Sequence, residues 1–253
     1  MAAAPRALTV RALDALPAEI APGDDLAAMI VAAHGGTAFA SDDAVVVSHK
    51  VISKAEGALI ELSTVTPSAR AIALATEQEK DPALIEVILG QTAEIIRAER
   101  GVLICRSIHG FVSANAGVDQ SNVRDGWCVT LPVDPDASAR RLRAALPGRP
   151  AVVIADSFGR AWRHGQAEIA IGAAGLTVAD DQRGDLDREG REMRATVIAT
   201  ADHVASAADL VRHKTSGQPA VVVEGLGDAV TADDGPGARA LVRAADEDLF
   251  GAR

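Results

Sequence analysis

Three blocks of the chain concentrate residues that can handle phosphate and carboxylate chemistry. The first, Ser48-His-Lys-Val-Ile-Ser-Lys-Ala-Glu-Gly57, sets Lys50 and Lys54 just past an apolar run. Two ammonium groups at the end of a buried strand, where open sheets bind ligands, can hold phosphates as point charges. The same pair also reads as solvated lysines leaving a core strand. The second block, Arg106 to Asn122, is rich in small polar residues. Asp119 offers carboxylate oxygens to a hard cation, and Asn115 and Asn122 offer amides to a nucleotide or substrate. Turns favour the same residue types for backbone reasons, but a nonperiodic stretch this long points to a binding loop. The third block is Asp156-Ser-Phe-Gly-Arg-Ala-Trp-Arg-His-Gly-Gln166. Asp156 follows the run AVVIA directly, Ser157 places a hydroxyl beside it, and Arg160 and Arg163 can clamp phosphates bidentately. Asp119 and Asp156 could share a divalent cation while Lys and Arg hold phosphates, the division of labour of phosphoryl transfer. The bland alternative makes Asp156 a helix cap and pairs the arginines with surface acids. A fourth stretch, Asp181 to Glu192, alternates acids and bases and reads as a solvated loop or a subunit contact. His49, His109 and His164 fall in the rich blocks without the spacing of a metal site.

Elements that could position these blocks follow from periodicity. Leu8–Ala12 reads as a short strand, and Asp24 or Asp25 caps a helix through Leu26, Met29 and Ile30. Ala44–Ser48 is a buried strand that Val51–Ile52 would extend, and Ala58–Leu62 is another strand. Ser68–Gln78 and Pro82–Ala98 read as helices, and Gly101–Ile108 as a strand. Residues 109–137 and 156–194 read as loops. Ala139–Leu146 is a short helix, Ala151–Ala155 a strongly buried strand, Thr196–Arg212 a helix, Ala220–Glu224 a strand and Gly237–Leu249 a closing helix. Strands and helices alternate without a βαβ rhythm, so the expected class is α+β, with mixed sheets and packed helices.

Composition narrows the partners. Of 253 residues only six are aromatic, four Phe and two Trp with no Tyr, so the core is aliphatic and no base-stacking platform is available. A formal charge of −10 argues against a nucleic-acid or anionic-membrane footprint. No apolar run reaches the roughly 20 residues of a membrane span, and the first residues lack the pattern of a signal peptide. Cys105 and Cys128 are the only cysteines, too few for a disulfide framework, and the cytoplasm is the expected location. There is no GxxxxGK[ST] loop, HExxH or CxxC, and Gly225-Leu-Gly227 lacks the third glycine of a dinucleotide fingerprint.

Taken together and in order, SHKVISKAEG, HGFVSANAGVDQSNV, LPVDPDASAR, ADSFGRAWRHGQAEIAIGAAGL and DQRGDLDREGRE resemble the coenzyme F420-0:L-glutamate ligase family. The resemblance spans nearly the whole chain. It implies a single ligase domain over residues 1–253, with a subdomain at about 65–150 and without the C-terminal nitroreductase-like domain of longer members. It further implies an α+β fold peculiar to the family and an intertwined homodimer. The implied activity is GTP-dependent attachment of L-glutamate to F420-0 through an acyl phosphate, with extension of a γ-linked glutamate tail in some members. Mg²⁺ or Mn²⁺ at up to two sites is implied, and K⁺ is compatible.

By matching motifs, Asp119 and Asp156 correspond to metal carboxylates and Ser157 to a hydroxyl at a second metal. His49, Lys50, Lys54 and Asn122 correspond to GTP contacts, as does the segment Pro17, Ala18, Glu19 and Ile20. Lys54 and Arg160 join the two aspartates as catalytic candidates. One departure stands out: where many members carry a Met-Gly-Glu-like segment after the helix near Val211, this chain reads Arg212-His213-Lys214. An ammonium cannot replace a carboxylate ligand. The alternatives are another metal-dependent phosphoryl or nucleotidyl transferase, and a noncatalytic nucleotide- or F420-binding module. Four of the six rings, Phe111, Trp127, Phe158 and Trp162, fall within residues 106–166, which suggests that one or two, Trp162 first, flank a bound ring system.

Overall fold

The computed structural model describes residues 7–14, 16, 17, 19–248 and 250. In chain order the first half contains β1 (Thr9–Ala12), α1 (Leu26–Ala33), β2 (Ala44–Ser48), α2 (His49–Ala55) and β3 (Leu59–Glu61). It continues with α3 (Ala69–Gln78), α4 (Pro82–Gly90), β4 (Thr92–Glu99), β5 (Val102–Ser107), β6 (Val112–Ala114) and β7 (Trp127–Val129). The second half contains α5 (Pro135–Ala145), β8 (Ala151–Arg160), β9 (Arg163–Ala174), β10 (Asp180–Asp181), β11 (Val197–Ile198), α6 (Thr200–Asp209) and β12 (Ala220–Glu224). The class is mixed α+β, as the patterning predicts. None of the described helices is long and apolar enough to cross a membrane.

A five-stranded sheet in the order β1-β12-β2-β8-β9 organises the molecule. Only the β2–β8 pair is parallel; the other three pairings are antiparallel. The runs AVVV, AVVIA and AVVV of β2, β8 and β12 are buried throughout, because helices cover both faces of the sheet. Val45, Val47, Val152, Ile154 and Val222 join α1 and α5 in one core cluster. Their neighbours Val46, Val153, Ala155, Val221 and Val223 join α6 in another. This alternation is the period-two pleat of a strand read out in packing. A third cluster gathers Leu62 to Cys128, under the three-stranded sheet β4-β5-β6 and helices α3 and α4.

Helix starts obey simple chemistry. Asp25, Ser68, Asp81 and Asp134 each accept a hydrogen bond from a first-turn N–H, and Pro82 and Pro135 occupy first positions where a missing donor costs nothing. Gly172 has no side chain because the carbonyl oxygen of Pro135 lies 2.4 Å from where a Cβ would stand, so α5 rests directly on β9.

Several expectations are corrected. Residues 109–137 are not all loop, because β6 and β7 pair there with β5 and β3, and α5 begins at Pro135. Val197–Ile198 pair with β10, so the helix expected from Thr196 starts at Thr200 and ends at Asp209. Val51–Ile52 do not extend β2; the chain turns into α2 at His49, and both side chains pack inward from that helix, tertiary burial overriding their β preference. The helix expected over Pro82–Ala98 stops at Gly90. Thr92–Glu99, rich in β-branched residues, pairs with β5 instead. The region 156–194 is not all loop: β8 runs on to Arg160 and returns as β9, a ribbon that extends past the sheet. Its outer part is solvated on both sides, so it carries no apolar alternation to betray it. The closing helix is replaced by short 3₁₀ turns at Ala238–Leu241 and Ala245–Glu247, because the buried Asp136 carboxylate takes the Ala238 and Arg239 N–H groups and pins the chain there. Leu249, the expected end of that helix, lies outside the described residues.

Candidate active site

The sheet topology delivers the chemical blocks to one end. β1 and β2 finish at this end and β12 begins there, while β8 and β9 pass through it into the projecting hairpin. Ser48 pairs with Ala155, so α2 and the Asp156-Ser157 pair leave adjacent parallel strands side by side. A cleft of about 870 Å³ opens over this edge. Pro17, Glu19 and Ile20 from the segment after β1 line it, as do His49, Lys50 and Lys54 of α2. Asp119 and Asn122, Asp156 and Ser157, and the segment from Arg212 to Pro219 complete the walls. Ala18 lies outside the described residues.

Asp119 is held by its backbone. Asn115 and Ala116 adopt left-handed conformations, and Gly117, at φ +80°, passes so close to Leu131 that a Cβ would sit 2.6 Å from its Cγ. Asp119 then exchanges both backbone hydrogen bonds with Val129. One carboxylate oxygen accepts the Ser121 N–H at 2.6 Å, and the other meets Lys50 Nζ at 2.7 Å. Burial pushes this carboxyl up, but Lys50 and the Ser121 N–H outweigh burial and hold it below the usual range. Lys54 Nζ donates to the Asn122 carbonyl at 2.6 Å, and Asn122 takes a left-handed φ of +57° to present it. Burial, with Lys50 adding like-charge repulsion and Glu19 opposing, lowers the Lys54 pKa.

Asp156 and Ser157 are adjacent on β8, so they face opposite sides of the sheet. Asp156 points toward α2: its Oδ1 accepts the Ser157 N–H at 2.8 Å and lies 3.3 Å from His49 Nε2. His49 is 1% exposed, and the approach lacks hydrogen-bond alignment, which leaves Nε2 without a hydrogen-bond partner. Ser157 points toward α6, where its hydroxyl donates to Glu168 Oε1 on the facing strand. The other oxygen of Glu168 pairs with Arg212 at 2.8 Å, with both side chains more than nine-tenths buried. Lys214 follows on the same side and donates to Gln166 Oε1 at 3.1 Å. The edge of the sheet thus divides the cleft. Lys50, Lys54, Asp119 and Asp156 lie on the α2 side; Ser157, Glu168, Arg212 and Lys214 lie on the α6 side.

Arg160 does not join this group. It lies near the hairpin tip and donates to the His164 carbonyl at 2.5 Å and toward that of Gly165, outside the cleft lining. Trp162 is also at the tip, 84% exposed with its ring 5.3 Å from that of Phe250. The aromatic ring in the cleft is Trp127, with the Arg124 guanidinium 5.8 Å from its centroid. Trp127 is one of the four rings the sequence singles out, whereas nothing in the sequence marks Glu168 or Gln166 as cleft residues. Only the β8–β9 register, which sets Glu168 opposite Ser157, reveals the former.

The donors suit a hard cation: two carboxylates on one side of the edge and a hydroxyl just across it. No three His, Cys, Asp or Glu groups among the described residues form a ready-made ligand set. Mg²⁺ commonly binds one or two carboxylates and completes its shell with water and substrate phosphates, so the residues fit a cation that arrives with a nucleotide.

The family described as F420-0:Gamma-glutamyl ligase matches residues 17–225. The Coenzyme F420:L-glutamate ligase of Methanothermobacter thermautotrophicus is 40% identical over 238 residues, covering 91% of this chain and 94% of that protein. The protein of the same name from Methanopyrus kandleri is 42% identical over 241 residues, covering 93% and 94%. That from Methanocaldococcus jannaschii is 39% identical over 213 residues, covering 82% and 84%. A match over most of the chain, with the cleft residues from Pro17 to Pro219 all inside it, shows that the chain belongs to the F420-0:gamma-glutamyl ligase family.

Proposed function

We propose that this protein is a GTP-dependent ligase that joins the amine of L-glutamate to the free carboxyl of coenzyme F420-0, and that it can extend a γ-linked glutamate tail. Its family is one of ligases, and the relatives above are named for F420 and L-glutamate. The observation that carries the reading is the convergence of Lys50, Lys54, Asp119 and Asp156, from three distant segments, on one cleft.

A carboxylate does not yield an amide directly, because oxide is a poor leaving group. The γ-phosphorus of GTP accepts a carboxylate oxygen of F420-0 as its bond to GDP breaks. The glutamate nitrogen then attacks the acyl carbon, inorganic phosphate departs with the carbon–oxygen bond, and the nitrogen's proton passes to a base. Lys50 and Lys54 face the phosphates and neutralise charge as it shifts between them. Asp119 and Asp156 would hold Mg²⁺ or Mn²⁺, with Ser157 at a second position; the ion would supply charge neutralisation on the phosphates. The free, buried thiols of Cys105 and Cys128 suit a reducing cytoplasm. A homodimer would cover the exposed Trp162 and Phe250 at the hairpin tip.

Mass spectrometry of products from purified protein with F420-0, L-glutamate, GTP and Mn²⁺ tests the reading. It succeeds with F420-0 gaining glutamate and GDP appearing in step; GDP without glutamylated product points to another phosphoryl transfer. Two further outcomes are expected. Trp127→Ala weakens GTP or F420-0 binding by roughly tenfold, the scale of one lost ring-stacking contact, as measured by calorimetry; unchanged affinity for both returns the ring to packing. GTP affinity falls with rising pH earlier than an ordinary lysine would dictate. The Lys54 pKa is lowered, so its ammonium is lost sooner, and phosphate binding must draw a proton back. Lys54→Arg, which stays charged, removes that dependence.

A further inference from the structure

The α6 side of the cleft holds a cation that the chemistry above does not use. Arg212 is neutralised by Glu168 and Lys50 by Asp119, and Lys54, on the Asn122 carbonyl, lies on the α2 side where the ligase reading places the phosphates. Lys214 has only the neutral amide of Gln166 as its hydrogen-bond partner, and no carboxylate among the described residues pairs with it. This is notable in a chain of net charge −10, where acids outnumber bases 35 to 25. Leaving an ammonium without a counterion in a cleft favours an anionic ligand there.

The division of the cleft narrows which anion. Phosphates have the α2 side, with Lys50 and Lys54 and the Trp127 ring. The α6 side offers one ammonium beside an amide, with the Arg212–Glu168 pair, Asp209, His213 and Thr215 also in the lining. A single ammonium with no paired carboxylate, in a wall whose one guanidinium is already neutralised by Glu168, matches one carboxylate better than a polyphosphate. The Ser157 hydroxyl lies on the same side and on the residue next to Asp156, so an amine anchored there can reach the acyl phosphate from the face opposite the nucleotide.

We propose that Lys214, steadied by Gln166, binds a carboxylate of the incoming acidic amino acid and so sets the preference for glutamate over its amide. The proposal rests on the ligase reading. It also gives Arg212-His213-Lys214 a role in substrate choice.

Steady-state kinetics of Lys214→Met, with each substrate varied in turn, is the test. The expected result is a KM for L-glutamate raised roughly 10- to 100-fold, the scale of one lost charge-assisted hydrogen bond. The KM values for GTP and F420-0 stay level, and discrimination against L-glutamine collapses. Lys214→Arg restores part of the glutamate affinity. An unchanged glutamate KM overturns the proposal. So does a rise confined to GTP or F420-0, which would assign Lys214 to their anions. Calorimetric titration of L-glutamate into the wild type and Lys214→Met, each loaded with a nonhydrolysable GTP analogue, reads the subsite without turnover. If the wild type forms no glutamylated product, the ligase reading fails on its own account, while the titration still decides whether Lys214 holds the amino acid.

Discussion

Asp156→Asn is expected to lower kcat by about 10²- to 10³-fold or more, while the melting temperature stays near that of the wild type. The amide is isosteric and can still accept the Ser157 N–H, so the local turn survives. What disappears is the negative charge that faces His49 and the α2 side of the cleft, together with the oxygen pair that suits a divalent ion. Asp119→Asn should behave similarly, with one difference. Lys50 loses its partner at 2.7 Å, so weakened nucleotide binding accompanies the loss of turnover. Paired GDP-release and product assays with Mn²⁺ titration check both. Near-wild-type, metal-dependent ligation by either variant would remove the aspartates from the site.

Glu168→Ala should cost the most stability, about 3–5 kcal/mol. Arg212 would remain buried with its charge uncompensated, and the Ser157 hydroxyl would lose its acceptor. For a chain of this size that is a fall in melting temperature on the order of 10 °C. Removing both charges is the informative control. Glu168→Met combined with Arg212→Met should recover most of the loss, since apolar pairs of similar volume replace buried ion pairs well. Thermal denaturation of the three proteins decides it. A Glu168→Ala variant as stable as the wild type would mean that solvent already compensates the pair.

The parts of the fold that were legible in the sequence are those whose residues are buried on both faces. Ala44–Ser48, Ala151–Ala155 and Ala220–Glu224 announce themselves as continuous β-branched runs, and the central strands β2, β8 and β12 contain them. The outer hairpin was hidden because its pairing is made of backbone groups, while its side chains look like those of a loop. The hairpin decides which side chains reach the site. As a loop, Asp156-Ser-Phe-Gly-Arg160 places acid, hydroxyl and guanidinium together. As a strand, four residues span about 13 Å, so Arg160 is carried away from Asp156. The lysines and Asp119 were legible as chemistry, and their meeting depends on the parallel β2–β8 pair and the backbone-locked loop after Asn115. Pairing Lys50 with Asp119 across 69 positions of sequence could not be read from either block alone.

The extra residue in β9 has a consequence for how such a chain can change over time. Ile154 faces Gly172 but Ala155 faces Ala170, so Ile171 is skipped in the ladder. Without that skip, this sequence would set Ile169 opposite Ser157 and send Glu168 to the other side of the sheet. The stretch from the core to the cleft therefore behaves like a reading frame of two. Substitutions here act locally, whereas gaining or losing one residue between Ala151 and Asp156 exchanges the acid and the hydroxyl between compartments. A point change in this stretch alters one position, whereas a single-residue indel reverses every position beyond it unless a second, compensating slip occurs in the facing strand.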